Sequence, residues 1–500
     1  MKFIKNNAKK SFLLLVIAFV VLRLLFNFMV PVTDQSEGRY ALIGYEMMNK
    51  NNFLTPMFHH KGEFVAFKGK PPLAFWSEAI SMKIFGVNSF AAKLPSTLAA
   101  FLLLGLIYFV LKRYKGVAIA RYATIFTGLS GLFFIYSGTV IVDMVLLLFI
   151  AGATVAYMAF LEEKNKKIKL LWSIIVFILA AGGFLTKGPV AIFEFGLPIF
   201  LWTLLNNKWK DLKDHSWGWL IGPALFFIIV VPWFYLSHKN DPEFLKYFFV
   251  NENFKRFVSK DYGDKYGAGR EFHYFAAIWM FMLSVLPWLF IPVVAFLKKN
   301  KNKFFPKFSK KIFAEPITGI SLLSFVSITL FWSLTSRSPI HYLLPTIPMF
   351  AIWLAVKCDE SFDKIKFSRN LMAVAWGMLA LLTIGLLSAS IFIRYSHSTT
   401  KYVLQAVKIL KVNNKCLENS KVYFVRETPY SAYFYDHDNI ISHKNENEAY
   451  SVEINKNTNN ILIIRSKYLK RDAVKSLVEG KNIKMVGSWN IILPDPKKVK

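Results

Sequence analysis

A chain of 500 residues that is 54% hydrophobic and 17% aromatic, with a mean hydropathy of +0.37, is too apolar for an ordinary soluble domain. Its apolar residues come in blocks of about 20, the length that crosses a bilayer. The net charge of +31 invites a nucleic-acid reading. However, the basic residues sit in short loops between apolar runs, the pattern of topology signals and anionic-lipid contacts, and nucleic acid is excluded as a partner.

The first apolar run, 11–30, follows the basic stretch "MKFIKNNAKK". It is long and lacks a small-residue cleavage site, so it reads as an uncleaved first span and not as a signal peptide. Further spans are expected at 94–111, 117–136, 142–160, 170–186, 189–205, 216–236, 272–297, 315–334, 341–356 and 370–393, eleven in all, with thirteen as the upper count. Between them, "KRYK" (112–115), "EEKNKKIK" (162–169), "NNKWKDLKD" (206–214), "KKNKNKFFPKFSKK" (298–311) and "KCDESFDKIKFSR" (357–369) fall on the side of the N-terminus if the spans alternate. The positive-inside rule makes that side cytoplasmic. The opposite face receives 31–93, the junctions at Asp143 and Lys187, 237–271, "TSRSPIH" (335–341) and the tail. Cys358 and Cys416 then lie on opposite sides of the membrane, so no disulfide joins them, and no cysteine spacing of a metal site occurs.

The expected fold class is therefore an α-helical polytopic membrane protein with a small C-terminal α/β domain. The membrane domain covers 1–396, with the first external loop at 31–93, and a soluble domain covers 397–500. Within the loop, "EGRYALIGYEMMNK" and "PLAFWSEAISMKIFG" have helical apolar spacing and read as interfacial helices, joined by a turn region at 55–72. In the tail, "KVYFV", "NILIIR" and "WNIILP" read as strands, and "YLKRDAVKSLVEG" as a helix ended by Gly480.

Six clusters on the external face carry chemistry. Asp34, Glu37 and Arg39 follow the first span; as a helix N-terminus they have a purely structural reading. Lys68 and Lys70 precede Pro71 and Pro72, which stiffen the chain. Asp143 interrupts the apolar "SGTVIVDMVLLL", and an ionisable group near membrane depth is by default a functional residue. Lys187 stands before a Gly-Pro break in "FLTKGPVAIF". "FFVNENFKRF" sets Glu252 on one helical face with Lys255 and Arg256. "SRSPIHYLLP" offers Arg337, His341 and Tyr342. Basic groups can hold a phosphate and stabilise a departing one, and a carboxylate can take a proton from an attacking hydroxyl. Together they suit group transfer from a lipid phosphate at the outer membrane surface. A transporter or flippase is the alternative of another class, but the polar groups gather at one face and no internal repeat is evident.

The order of these motifs resembles the bacterial aminoarabinose transferase and protein O-mannosyltransferase superfamily. "DQSEGRYALIGYEMMNKNNFLTPMFHHKGEFVAFKGKPPLAFWSEAISMKIFGVNSFAAKLPS" is similar to its first external loop. "D-M", "FLTKGP", "NEN--RF" and "YLLP" follow in the family's order, over roughly 30–345. The resemblance implies a GT-C glycosyltransferase that moves one sugar, with inversion, from a polyprenyl-phosphate donor to an acceptor. It implies a multi-pass protein of the bacterial inner membrane with a cytoplasmic N-terminus and a periplasmic C-terminal domain. The implied acceptor is lipid A or another envelope glycolipid, or alternatively a protein. It also implies catalytic roles for Asp34 or Glu37 and for Asp143, phosphate binding by Arg39, Lys70, Lys187 and Arg256, and a pocket lined by Tyr40, Glu252, Arg337, His341 and Tyr342. The spacing "DQSEGRYA" leaves the choice between Asp34 and Glu37 open. The relatives' two metal-ligand candidates are replaced here by Gly69 and Asn253, so the resemblance implies no definite cofactor and leaves a divalent metal open.

Overall fold

A computed structural model of the chain describes residues 2–60, 63–209, 216–259, 266, 271–297, 313–396, 398–425, 428–441, 460–469 and 482–494. Among the described residues, nine helices are long and apolar enough to cross a bilayer. α1 (Lys2–Met29) leads into the first loop. The loop folds as α2 (Ser36–Asn49), an antiparallel hairpin of β1 (Met57–His60) and β2 (Glu63–Ala66), and α3 (Leu73–Phe85). The bundle continues with α4 (Ser89–Tyr114), α5 (Val117–Gly128), α6 (Gly131–Tyr136), α7 (Val142–Glu162), α8 (Lys166–Lys187) and α9 (Pro189–Asn206). The helices Ser216–Asn240, Pro316–Ser333, Thr346–Ser361 and Lys364–Tyr395 complete it. Starts are set by side-chain caps: Asn88, Asn165 and Glu315 accept bonds from the first free N–H groups of their helices.

Two expected spans are divided in the structure. The segment 117–136 breaks at Ser130, whose backbone is extended and whose hydroxyl donates to the Phe126 carbonyl, competing with the helical ladder. The segment 272–297 forms Ala276–Ser284 and Phe290–Leu297, with Pro287 in the gap, where proline has no N–H to continue a helix. The stretch 55–72, expected as a turn region, holds the hairpin.

The helix α7 runs through the middle. Its apolar window is 83% enclosed by protein, against 28% for α1 and 22% for the outer helix Lys364–Tyr395. Its middle reads "AGATVA", and such small residues let neighbouring helices approach closely; a Cβ on Gly152 would stand 3.4 Å from Leu179 of α8. At one end of α7 and α8, Arg113 pairs with Glu163 at 2.7 Å and Lys115 with Glu315 at 2.6 Å, so the basic loops meet on a common face. Asp143 and Lys187 occupy the other ends of these two helices.

The tail carries the helix Lys401–Asn413 and a five-stranded mixed sheet of β3 (Val422–Phe424), β4 (Ile440–Ile441), β5 (Ile461–Arg465), β6 (Ile483–Val486) and β7 (Trp489–Ile492), ordered β4-β3-β5-β7-β6. β3 runs parallel to β4 and β5, and the remaining pairs are antiparallel. The three strands expected from sequence are β3, β5 and β7. The helix expected at 468–480 lies outside the described residues from 470 onward.

The helix Tyr430–Asp436 seats this domain on the first loop. Asp34 accepts bonds from the Ser431 N–H at 2.9 Å and from its hydroxyl. Gly38 permits the approach, since a Cβ there would come within 2.9 Å of the Ser431 nitrogen. Glu37 accepts from the N–H and hydroxyl of Thr33 and from the Val140 N–H, and it pairs with buried Lys93 at 3.4 Å. Lys93 otherwise donates only to the Val30 and Pro31 carbonyls. Glu37→Ala strands that ammonium and is expected to cost roughly 3–5 kcal/mol, read as a lower melting midpoint in detergent by intrinsic fluorescence. Removing both charges, in Glu37→Leu with Lys93→Met, should recover part of the loss.

Candidate active site

A cavity of about 280 Å³ opens where the first loop meets the site ends of α7 and α8. Arg39 and Tyr40 reach it from α2, and Phe67, Gly69 and Lys70 from the link between β2 and α3. Asp143 comes from the first turn of α7 and Lys187 from the last turn of α8. Glu252 and Arg256 come from the π-helical segment Lys246–Lys255 and the residue after it. Tyr266, Arg337, Pro339, His341 and Tyr342 close the wall.

Local sequence explains these placements. In "TKGP", Gly188 takes φ +77, a conformation that favours glycine, and Pro189 occupies the first turn of α9. The chain therefore turns sharply and leaves Lys187 at the helix terminus. Asp143 sits at the N-terminal end of α7 and Lys187 at the C-terminal end of α8, each where the helix dipole favours its charge. The two side chains form a short buried ion pair. Lys187 also stands 3.7 Å from the Tyr342 ring centroid, a cation–π contact. His341 Nε2 lies 3.7 Å from the free side of the Asp143 carboxylate.

The second charge group is built around Glu252, which accepts from Arg256 at 3.0 Å and Tyr247 at 3.2 Å and lies 3.7 Å from Lys70 Nζ. Lys70 itself donates to the Gly69 carbonyl at 2.8 Å. Burial pushes the Lys70 ammonium down to about 8; Glu252 opposes this, and Arg256 and Lys187 add to it. Arg39 donates to the Tyr266 carbonyl at 3.2 Å and lies over Tyr40 and Phe67, and its buried Nε has no partner among the described residues. Arg337 bonds Glu271 and the carbonyls of Arg256 and Ser259, pinning the end of the π-helical segment. The cavity thus presents five cationic side chains and two carboxylates, a surplus suited to a phosphate.

The structure brings Arg39, Tyr40, Lys70, Asp143, Lys187, Glu252, Arg256, Arg337, His341 and Tyr342 together, and it places Asp34 and Glu37 outside the cavity wall, in the anchoring bonds described above. Sequence reasoning missed Tyr266. Its hydroxyl accepts from the Lys68 N–H and donates to the Ala66 carbonyl, but its stretch has no helical or strand period to mark it. The wall does not suit a metal of the kind the resemblance raised. Gly69 has no donor side chain, Asn253 is not part of the cavity lining, and each carboxylate is already paired with cations.

A helical bundle with a cationic cavity at one end, and a small α/β domain seated on its first loop, has the GT-C fold of membrane glycosyltransferases. ArnT of Cupriavidus metallidurans, solved with undecaprenyl phosphate, superposes with a TM-score of 0.71 at 17% identity, over 96% of this chain and 97% of that one. The archaeal oligosaccharyltransferase AglB of Archaeoglobus fulgidus gives 0.55 at 11% identity, over 100% of this chain and 75% of that one. In sequence, residues 69–236 match the family described as dolichyl-phosphate-mannose-protein mannosyltransferase. An uncharacterised protein of Aquifex aeolicus is 27% identical over 86% of both chains. The undecaprenyl phosphate-alpha-4-amino-4-deoxy-L-arabinose arabinosyl transferase of Shewanella sediminis is 27% identical over 69% of this chain and 59% of its own length. In sequence the chain is similar to aminoarabinose transferases and, in part, to protein O-mannosyltransferases, and it shares the GT-C fold of ArnT.

The depressed Lys70 ammonium has a measurable consequence. Its proton is lost as pH rises through about 8, which removes one positive charge from the cavity. Sulfate keeps its charge over this range, so its affinity, measured by calorimetry, should fall between pH 7 and pH 9.5. In Lys70→Arg, where the guanidinium stays charged, the affinity should stay flat. A wild-type affinity that does not change with pH excludes Lys70 from anion binding.

Proposed function

We propose that the protein transfers a single sugar from a polyprenyl-phosphate donor to a glycolipid of the cell envelope, with lipid A as the leading candidate, at the periplasmic face of the inner membrane. The observation that carries this reading is the cationic cavity beside an apolar groove. The groove, about 620 Å³, is lined by Leu73, Trp76, Phe149, Leu185, Ile229 and Trp233 among others. Leu73 follows Lys70 by three residues and Leu185 precedes Lys187 by two, so the same short segments serve both compartments. An amphiphile with a phosphate head and an isoprenoid tail matches that division. The names of the Shewanella transferase and of the ArnT complex, which both contain undecaprenyl phosphate, support the same donor class. At about 280 Å³ the cavity falls just below the ~300–1,000 Å³ of drug-sized sites, which suits one sugar better than an oligosaccharide.

The chemistry follows from charge. The donor is a phosphodiester carrying one negative charge, and the departing polyprenyl phosphate carries up to two. Arg39, Lys70 and Arg256 around the phosphate therefore bind the leaving group more strongly than the ground state, which is the condition for catalysis. The acceptor hydroxyl attacks the anomeric carbon as the carbon–oxygen bond to phosphate breaks, with inversion. Asp143 takes the hydroxyl proton, oriented by Lys187 and His341; the first-loop acids Asp34 and Glu37 hold α2 in position and act through Arg39.

Asp143→Asn is expected to slow transfer by ~10²–10⁴-fold without loss of membrane insertion. Arg39→Ala, which removes a charge-assisted contact of about 1.5–3 kcal/mol, should lower kcat/KM for the donor roughly 10–150-fold. Near-normal activity in either variant rejects the assignment. Mass spectrometry of envelope lipids with and without the gene should show loss of one sugar mass from a glycolipid. If that mass is lost from secreted proteins instead, the acceptor is protein.

A further inference from the structure

Outside the cavity, at the seam between the first loop and the C-terminal domain, three metal-ligand side chains converge. Glu46 comes from the last turns of α2, His59 from β1, and His437 from the turn after the helix Tyr430–Asp436. One ligand atom of each lies within 4.8 Å of the other two. Glu46 Oε1 is 2.7 Å from His437 Nε2 and 3.8 Å from His59 Nε2. Glu46 is only 1% exposed, and among the described residues its second oxygen, Oε2, has no hydrogen-bond partner; nor has His59 Nδ1. A buried carboxylate with an orphaned oxygen is costly unless a cation is at hand. Among the described residues, Glu46 forms ion pairs with these two imidazoles alone.

The rings are held in place before any ion arrives. His59 stacks on Tyr433, centroids 4.6 Å apart and nearly parallel, and His437 leans on Tyr45 at 5.1 Å. The outer nitrogen of His437 lies 3.5 Å from the Asp438 carboxylate, the arrangement in which a carboxylate orients a metal-bound imidazole. Two imidazoles and one carboxylate form a donor set that zinc accepts with a water in the fourth position.

We propose that Glu46, His59 and His437 bind a zinc ion that clamps α2 and the β1–β2 hairpin to the C-terminal domain. The ion closes a seam between two ligands of the first loop and a third, His437, nearly 400 residues further along the chain. Because Arg39 lies two turns before Glu46 on α2, the clamp also fixes the helix that carries an arginine into the cavity. The site stands on its own residues and does not depend on the identity of the transferred sugar.

The test uses the full chain purified in detergent, freed of any histidine tag, stripped with a chelator and reloaded with Zn²⁺ or Co²⁺. The expected result is one zinc per chain by elemental mass spectrometry, a Co²⁺ absorption band of tetrahedral type, and a melting midpoint raised by zinc. His437→Asn and Glu46→Gln should weaken zinc binding by at least the ~10–100-fold that loss of an outer-shell partner alone causes, and the zinc-dependent rise in midpoint should vanish. Retention of full zinc affinity in the double variant His59→Asn/His437→Asn overturns the proposal. If the variants do not fold, the wild-type measurement decides: a folded chain that takes up no stoichiometric zinc overturns it equally.

Discussion

The pairing of Asp143 with Lys187 is the constraint on which the architecture of the site depends. Two opposite charges taken out of water incur a desolvation penalty that their attraction offsets only in good geometry. Here the geometry comes from two antiparallel helices whose ends are level. Asp143 lies at the positive end of α7 and Lys187 at the negative end of α8, so the helix dipoles assist both charges. Gly188, at φ +77, turns the chain without extending α8 past its partner. Once fixed, Lys187 draws the Tyr342 ring to 3.7 Å and Asp143 draws His341 to 3.7 Å. The turn Ile340–Leu343 is thereby positioned, and with it the start of the strongly enclosed span Ile340–Ser361.

Around this pair the cavity carries more positive charge than its two carboxylates can answer. Five cations held at close quarters repel one another; burial is the main cause that depresses the Lys70 ammonium, and Arg256 and Lys187 depress it further. The scaffold holds this repulsion through bonds made away from the cavity: Arg337 to the Arg256 and Ser259 carbonyls, and Arg39 to the Tyr266 carbonyl. Such a site favours an anion, and it favours an anion that gains charge most of all. The adjoining groove has the opposite character, almost wholly apolar, so a ligand that is charged along its whole length or greasy along its whole length satisfies only one compartment.

Much of this was legible in the sequence, and the remainder was hidden for identifiable reasons. Spans are announced by length and hydropathy, and a lone aspartate or lysine in an apolar run stands out because the bilayer makes it costly. Asp143 and, at its span junction, Lys187 could therefore be noticed directly, whereas the "KPP" lysine drew its role from the family resemblance. The breaks at Ser130 and Pro287 were harder to see, because hydropathy averages over them: the apolar run continues while the helix does not. The hairpin at 57–66 escaped because its four-residue strands are too short for alternation to register. Tyr266 escaped because its role is set by the Lys68 N–H and the Ala66 carbonyl, backbone groups of a distant segment that no side-chain pattern announces.

The acids of the first loop show where local reading stops. Asp34, Glu37 and Glu46 have the same functional group, and all lie within thirteen residues of one another, yet their partners are Ser431, Lys93 and two histidines. Which of them bears chemistry depends on what the fold brings opposite them, and two of those partners, Ser431 and His437, lie almost 400 residues away. In this structure all three secure α2, whose cavity-facing end carries Arg39 and Tyr40. The helix is held at its start by Asp34 and Glu37 and near its end by Glu46, so the segment that carries the half-buried Arg39 is fixed at both ends, partly against a domain that the membrane bundle alone does not supply. The tail is consequently part of the cavity's geometry: without the seat that Ser431 and His437 provide, the first loop would keep its helices and lose the register that points Arg39 at the site.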